Sequence, residues 1–587
     1  MEVHKIHTLD SSALLLINTK LKTHKTPFIL LWSIMSSSTS SLSSSEASEY
    51  DAIIIGAGHN GLTCACYLAK AGLRVLVVEQ YNSLGGMTIT EEVTLPGFRS
   101  DVHAFGYQLA NLSPVPNELN LKKFGFELIR PEISYSHVFP DRGYISMYRN
   151  VDMTVKSIEK YSKNDAQTWK RMFDKYLEAK KSITSTINSP PLSLSSSIAM
   201  MEKKSPSDLD SYRSSLQSMR SWCNEWFETE EAKVMFGTFA AFVSLSPDDA
   251  GGGEIAYLFS SIIQDSGNNV VKGGFLNLPL ALSKYLQSKG GRIITNSKVT
   301  KIIIKEEKAV GVKLTSGKEI RVKRLVASSA DPNTLLLRLV GEEYLDSRTV
   351  ASIKGLEWGD SILAIYLALD GPVEYYAGRE VIPSTQFHLS PQTLDFFAKP
   401  FYECRAGKLP SEPLAIMSND SVADPSRIPS GKHLLKFLIL SVPYKVNSEY
   451  ITPNDWTSTS RDWEQIKDQY SDHIVDMISE KYMPKLKSII LKRVVYSPID
   501  FEKKHGTSVH GTLSCGAVIP YQSKSMRPIP QLAGYKIPQV PNVYLCGAGS
   551  HPGPGVSMAP GRNAAQVILA DLNLDPDLIF QYSEQIR

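Results

Sequence analysis

The sequence predicts an α/β fold, and three observations predict it. An apolar, β-branched run ends in closely spaced glycines; a second such run ends in a glutamate; and a glycine-rich strand-to-helix turn recurs near the C-terminus. At 587 residues the chain exceeds what one hydrophobic core supports, so several units are expected.

The first run lies in "DAIIIGAGHNGLTCACYLAKAGLRVLVVE", residues 51 to 79. Ala52 to Ile55 show no polar alternation, which suits a parallel strand covered on both faces. Gly56, Gly58 and Gly61 follow, and Leu62, Ala65, Leu68 and Ala69 open a helical pattern behind them. The first glycine permits a tight turn, the second lets backbone approach a pyrophosphate, and the third lets helix and strand pack closely. The phosphates would rest on unpaired N–H groups at the helix N-terminus. The second strand, "RVLVVE", ends at Glu79, eighteen residues after Gly61. That spacing suits an acid that accepts hydrogen bonds from a ribose diol, and it disfavours a 2'-phosphate. FAD and NAD are the candidates.

A formal charge of +3 and 42% hydrophobic residues are an ordinary globular balance, with no excess that points to nucleic acid. The six cysteines, Cys64, Cys66, Cys223, Cys404, Cys515 and Cys546, form neither a disulphide framework nor a C-x-x-C pair, and no H-E-x-x-H or clustered Cys/His set predicts a metal. Residues 1–48 differ from the rest. They carry Lys5, Lys20, Lys22 and Lys25, few acids, and the tract "MSSSTSSLSSSEASE", the look of an organelle transit segment or of an extension upstream of a start at Met35. The apolar run "TPFILLWSIM" is too short to cross a bilayer, so any membrane contact is expected to be peripheral.

Beyond Glu79 the sequence divides by pattern into a first cofactor-binding part, 49–150; a mainly helical cap, 151–265; a second cofactor-binding part, 266–345; an α+β substrate domain, 346–534; and a C-terminal cofactor-binding segment, 535–587. The overall expectation is a discontinuous Rossmann-like domain with an inserted α+β substrate domain. The tail "NVYLCGAGSHPGPGVSMAPGRNAAQVILADL" favours FAD over NAD. A nicotinamide enzyme needs one fingerprint, whereas an extended dinucleotide with a bulky flavin end can use a second helix N-terminus at that end.

These motifs, with the Gly85–Gly86 pair, "KGGFLNLPLAL", "DPSRIPSGKHLL" and "GRNAA", resemble the FAD-containing superfamily of phytoene desaturases and flavin amine oxidases. Within it they most resemble the bacterial phytoene desaturase-like group of pyridine nucleotide-disulphide oxidoreductase domain-containing proteins. The resemblance runs from about Tyr50 to Leu574. It implies non-covalent FAD, with Gly56, Gly58, Gly61 and Glu79 on the ADP half. Gly85, Gly86 and Met87 would lie along the pyrophosphate and flavin, Val299 would meet the adenine through its backbone, and Gly549, Gly555 and Val556 would close over the flavin. It also favours the mitochondrion, with the plastid as alternative. The paired cysteines that "disulphide" suggests are missing, and Cys546 reads as core.

The resemblance further implies a dehydrogenase or desaturase that passes a hydride from an apolar or amine-bearing substrate to the flavin, with the electron acceptor unidentified. A polyene isomerase using reduced FAD and a non-catalytic, flavin-stabilised regulatory protein are the alternatives. For a catalytic base the sequence offers His103 in "RSDVHAFGY" and His551 in "GSHPGPG", with His510 in "SVHGTLSC" a similar case; the packing reading stands beside each.

Overall fold

Strand β1 (Tyr50–Ile55), helix α1 (His59–Lys70) and strand β2 (Val75–Val78) form the expected unit, with Ala52 opposite Val75 and Ile55 opposite Val78 in parallel. In this computed structural model, residues 50–193, 195–197, 199, 206–447, 462–506 and 508–580 are described. The serine-rich tract expected to be a transit segment, and Met35, lie outside the described residues. Every element below belongs to the unit Glu49–Arg587.

Around β1 and β2 a seven-stranded sheet gathers segments from distant parts of the chain. Arg292–Ile294 pairs with β2, Glu319–Ser328 pairs with β1, and Val543–Leu545 pairs with Glu319–Ser328, all in parallel. Val299–Lys305 and Lys308–Leu314 extend the sheet antiparallel, the latter turning at "TSGK" into Glu319–Ser328. The cofactor-binding domain is therefore discontinuous.

A second seven-stranded sheet runs Ile490–Tyr496, Ser361–Leu369, His433–Val442, Leu414–Ser418, Gln386–Leu389, Ile133–Val138, Tyr144–Tyr148. We label Ile133–Val138 β3 and Gln386–Leu389 β4; they pair in parallel, with His137 opposite His388. The boundary expected at residue 150 is thus misplaced. β3 and Tyr144–Tyr148 fall in the first cofactor-binding part by sequence, yet they complete the second sheet, because their hydrogen-bonding edge is taken up by β4. Pairing of strands about 250 residues apart leaves no local pattern.

One face of this sheet packs on Trp463–Lys481. The other face carries Tyr135, Tyr366, Ile416 and Leu438 and packs under the cap helices, which include α2 (Lys163–Ile187) and α3 (Glu230–Ala241). The two sheets are joined by buried charges. Arg427 is 1% exposed and lies 2.8 Å from Asp101 and 3.1 Å from Asp420. Asp101 also accepts from the N–H of Phe275 at 2.8 Å, while Asp424 accepts from the N–H of Gly273 at 2.6 Å. The motifs "RSDVHAFGY", "KGGF" and "DPSR" meet here. Buried Lys436 adds bonds to the carbonyls of Asp101 at 2.9 Å and Ala104 at 2.5 Å, and burial pulls its ammonium down to about 8.

Breaking a buried pair strands a charge in the interior, which typically costs about 3–5 kcal/mol. Asp101→Ala should lower the unfolding free energy obtained from denaturant titration by an amount of that order, and Arg427→Ala by a similar amount, whereas Glu374→Ala, which breaks an exposed pair with Lys485, should stay within about 0.5 kcal/mol of the unsubstituted protein. Equal unfolding free energies for the three variants would show that the cluster is energetically neutral.

Candidate cofactor site

The glycine turn is built as close backbone approach requires. Gly56 has φ +96°, and a Cβ at Gly61 would lie 2.2 Å from the carbonyl oxygen of Gly56, so no side chain fits between strand and helix. Gly85 has φ +120°, bridges to Gly58, and donates its N–H to Ala57 O at 3.0 Å. The two glycine groups of the sequence thus lie side by side. Gly86 and Met87 begin a single 3-10 turn, and Met87 O accepts from Ala104 N at 3.1 Å, which brings the His103 segment against it.

Glu79 ends β2 almost buried, at 7% exposure. Its carboxylate accepts from the N–H of Ala57 at 2.7 Å and of Tyr81 at 3.0 Å, so the acid also fastens the glycine turn. Ser297 N donates to Glu79 O at 2.8 Å, and Val299 begins its strand two residues on, buried and opposite Leu314. Glu79 and Val299 therefore border the same end of the sheet.

The C-terminal loop comes from the opposite end of the chain. Val543–Leu545 leads through Gly549 to Gly555 and Val556 and then to α4 (Ala559–Asp571). Gly555 is exposed with φ +105°, Val556 is half-buried against the first sheet's core, and a Cβ at buried Gly549 would lie 2.7 Å from Pro332. Gly561 serves helix packing instead. A Cβ there would lie 2.0 Å from the carbonyl oxygen of Asn60, so its absence lets α4 pack on α1. Arg562 and Asn563 of "GRNAA" secure the cap. Arg562 pairs with Glu118 at 2.7 Å and donates to Asn188 O at 2.7 Å, and Asn563 donates to Ile187 O and Ser189 O, both at 3.0 Å.

Two residues that sequence patterns alone do not single out organise this junction. His59, the first residue of α1, hydrogen-bonds the backbone of Gly555 and so ties the two glycine loops together; burial pulls its imidazole down to about 4. Arg527, 2% exposed, donates to the carbonyls of Ser514, Cys515, Ala517, Gln522 and Ala548 and shapes the approach to Gly549. The only sequence signal for His59 is its place inside the glycine fingerprint.

The predicted histidines separate. His103 is fully buried, its ring 5.1 Å from that of Phe501. His551 is 3% exposed and its Nε2–H donates to Thr186 O at 2.9 Å, at the end of α2. That tautomer leaves Nδ1 bare, and burial holds the ring below the ordinary imidazole range. His510 is exposed and stacks on Trp358 at 5.5 Å, away from the glycine turns in sequence and in contacts.

Residues 61–569 match the family described as flavin containing amine oxidoreductase. The chain belongs to this family. Among curated relatives of this flavin containing amine oxidoreductase, rat pyridine nucleotide-disulfide oxidoreductase domain-containing protein 2 is 29% identical over 89% of this chain and 94% of its own length. A limonene dehydrogenase polypeptide of Castellaniella defragrans is 26% identical over 90% and 96%. The fold is shared with cyclohexylamine oxidase from Brevibacterium oxydans, at TM-score 0.53 and 15% identity, covering 89% of this chain and 100% of the other. The family member is thus an FAD-dependent oxidoreductase.

The residues present fit FAD. A Cβ would lie 2.5 Å from Ser329 Oγ at Gly56 and 2.2 Å from Gly56 O at Gly61, the buried carboxylate of Glu79 closes β2, and the bare Nε2 of His59 and Oδ1 of Asn60 are buried at the helix N-terminus without a partner among the described residues. Gly56, Gly58, Gly61, Glu79 and Val299 would hold the adenosine diphosphate half, and the Gly85–Met87 turn and the Gly549–Val556 loop the flavin half.

Losing charge-assisted hydrogen bonds to a ribose diol costs about 1.5–3 kcal/mol. Glu79→Ala should therefore weaken FAD retention roughly ten- to a hundred-fold, read as residual flavin absorbance after dialysis; full occupancy would show that Glu79 serves only the turn. His59 supplies a pH test. The unfolded chain protonates it near pH 6.5 and the folded chain near 4, so stability is held above that window and falls as the pH drops through it, by about 1.4 kcal/mol per unit. His59→Gln should lose less stability than wild type between pH 6.5 and about 5, and parallel acid profiles would assign the loss to other groups.

Proposed function

We propose that this flavoenzyme is a dehydrogenase or desaturase that removes two hydrogens from an apolar substrate. The observation that carries the reading is the cap-facing side of the second sheet, where Tyr135, Tyr366, Phe236, Phe239, Phe397 and Leu438 pack into one buried apolar cluster with Phe105 of the His103 segment. FAD, when bound, supplies the two-electron acceptor for a hydride. The chain's own residues do the remainder. The aromatic side chains exclude water from the region in which a C–H bond would break, and Phe105, packed with Phe242, joins the His103 segment to it.

The second hydrogen leaves as a proton. His551 suits its acceptance, because its Nε2–H is committed to Thr186 O and its Nδ1 is bare. His103 is a second candidate, its segment held in place by Lys436, which bonds the carbonyls of Asp101 and Ala104 on either side of it. The name of the limonene dehydrogenase relative supports dehydrogenation of an apolar substrate over oxidation of an amine.

The purified protein should be yellow and release FAD on denaturation. Mixed anaerobically with a panel of terpenes and polyenes, it should lose its visible flavin absorbance with at least one of them and yield a product two hydrogens poorer. Turnover that begins only after dithionite reduction, with product isomeric to substrate, would instead identify a reduced-flavin isomerase. A flavin inert to every compound under both conditions would sink the enzyme reading.

A further inference from the structure

Two histidines outside the glycine loops form a pair of unusual chemistry. His137 on β3 and His388 on β4 stand in register on adjacent parallel strands and are 0% and 1% exposed. Their Nδ1 atoms lie 3.1 Å apart, with the rings near perpendicular at 84°. Both rings point to the cap side of the sheet. Tyr135 lies 4.6 Å from the His388 ring, Phe239 lies 5.7 Å from His137 and 5.3 Å from His388, and Phe242 lies 5.4 Å from His388.

The hydrogen-bonding state of the pair follows from its geometry. Two neutral imidazoles joined Nδ1 to Nδ1 share one proton at the junction. The ring that donates it has a bare Nε2, and the ring that accepts it carries its own proton at Nε2. Whichever ring donates, the pair presents one N–H donor and one bare acceptor. Burial holds both rings well below the ordinary imidazole range, so the neutral state is the one present near pH 7. Neither Nε2 atom has a hydrogen-bond partner among the described residues. Leaving a buried polar atom unpaired costs about 1–3 kcal/mol, and folded proteins seldom leave two side by side.

The site therefore asks for a group that both donates and accepts. A hydrocarbon does neither. An ammonium brings donors only and leaves the Nε2–H opposed by positive charge. A hydroxyl does both, and the surrounding aromatic rings suit an apolar body behind it.

We propose that His137 and His388 form a specificity-determining pair that binds the hydroxyl group of an otherwise apolar substrate on the cap face of the second sheet. This rests on the reading of that face as the substrate region. It narrows the substrate class from apolar molecules in general to apolar alcohols, and it gives the pair a positioning role.

Binding, not turnover, provides the test, so that it remains readable whether or not a compound is oxidised. FAD-loaded protein is titrated with 1-octanol, 1-octene and octylamine, followed by perturbation of the visible flavin spectrum and by calorimetry. Wild type should bind 1-octanol about tenfold more tightly than 1-octene or octylamine, the size expected for one net hydrogen bond. His388→Phe should bring 1-octanol down to the affinity of 1-octene without changing the latter, and His388→Gln, which keeps a donor and an acceptor, should recover part of the preference. In unsubstituted protein with 15N-labelled histidine, 1-octanol should shift two Nε2 resonances that 1-octene leaves in place, a readout independent of whether the variants fold. Equal affinity for the three compounds, a preference that survives His388→Phe, or unmoved Nε2 resonances would overturn the proposal. Failure of flavin reduction by terpenes and polyenes alongside a preserved alcohol preference would count against the dehydrogenase and leave the pair's role standing.

Discussion

The ion pairs of Arg427 with Asp101 and Asp420 are the constraint on which the arrangement of the two sheets depends. Asp101 belongs to the segment that follows the first glycine turns, Asp420 and Arg427 to the connection between two strands of the second sheet, and the Phe275 N–H that Asp101 accepts to the lead into a helix of the cofactor domain. A buried ion pair need not add net stability, because desolvation offsets most of its attraction. It does penalise every arrangement that separates the partners. Burial raises the carboxyl of Asp420 and the guanidinium beside it opposes that, so the cluster holds its charge only while all its members are present.

From this anchor the glycine turns of the first sheet and the cap-facing side of the second sheet are tied together. Lys436 reaches from the second sheet to the carbonyls on either side of His103, and that segment pairs with Met87 and Ile89 beyond the Gly85–Gly86 turn. On the other side His59 joins the first glycine loop to Gly555, while Arg562, Asn563 and His551 fasten the last turns of α2 and the residues that follow. The cap is thus held by the same C-terminal block that carries the second glycine-rich loop. Anything that perturbs that block will be felt in the cap through hydrogen bonds to Thr186, Ile187 and Asn188.

Much of the cofactor domain was legible because its signals are local. A strand buried on both faces needs β-branched residues without polar alternation, a tight turn needs glycine, and both requirements are written within about 30 residues around Gly56. The C-terminal block carries the same signature, although Gly561 serves helix packing and not the loop before it. The second sheet was harder to read. β3 falls on the wrong side of the expected boundary because the strand that claims it lies about 250 residues away, and His137 carries no signal because an isolated histidine between serine and valine looks like any other strand residue.

The sequence by itself determined the α/β class, the nucleotide-binding turn, the acid at the end of β2 and the second glycine block, since each is a short-range steric or hydrogen-bonding requirement satisfied by neighbouring residues. Only the tertiary structure decided which segments share a sheet, which buried charges meet, and that His59 touches Gly555 while His137 touches His388. Those contacts join residues hundreds of positions apart, and what fixes them is the pairing of strand edges and the burial of charge, neither of which leaves a periodic mark along the chain.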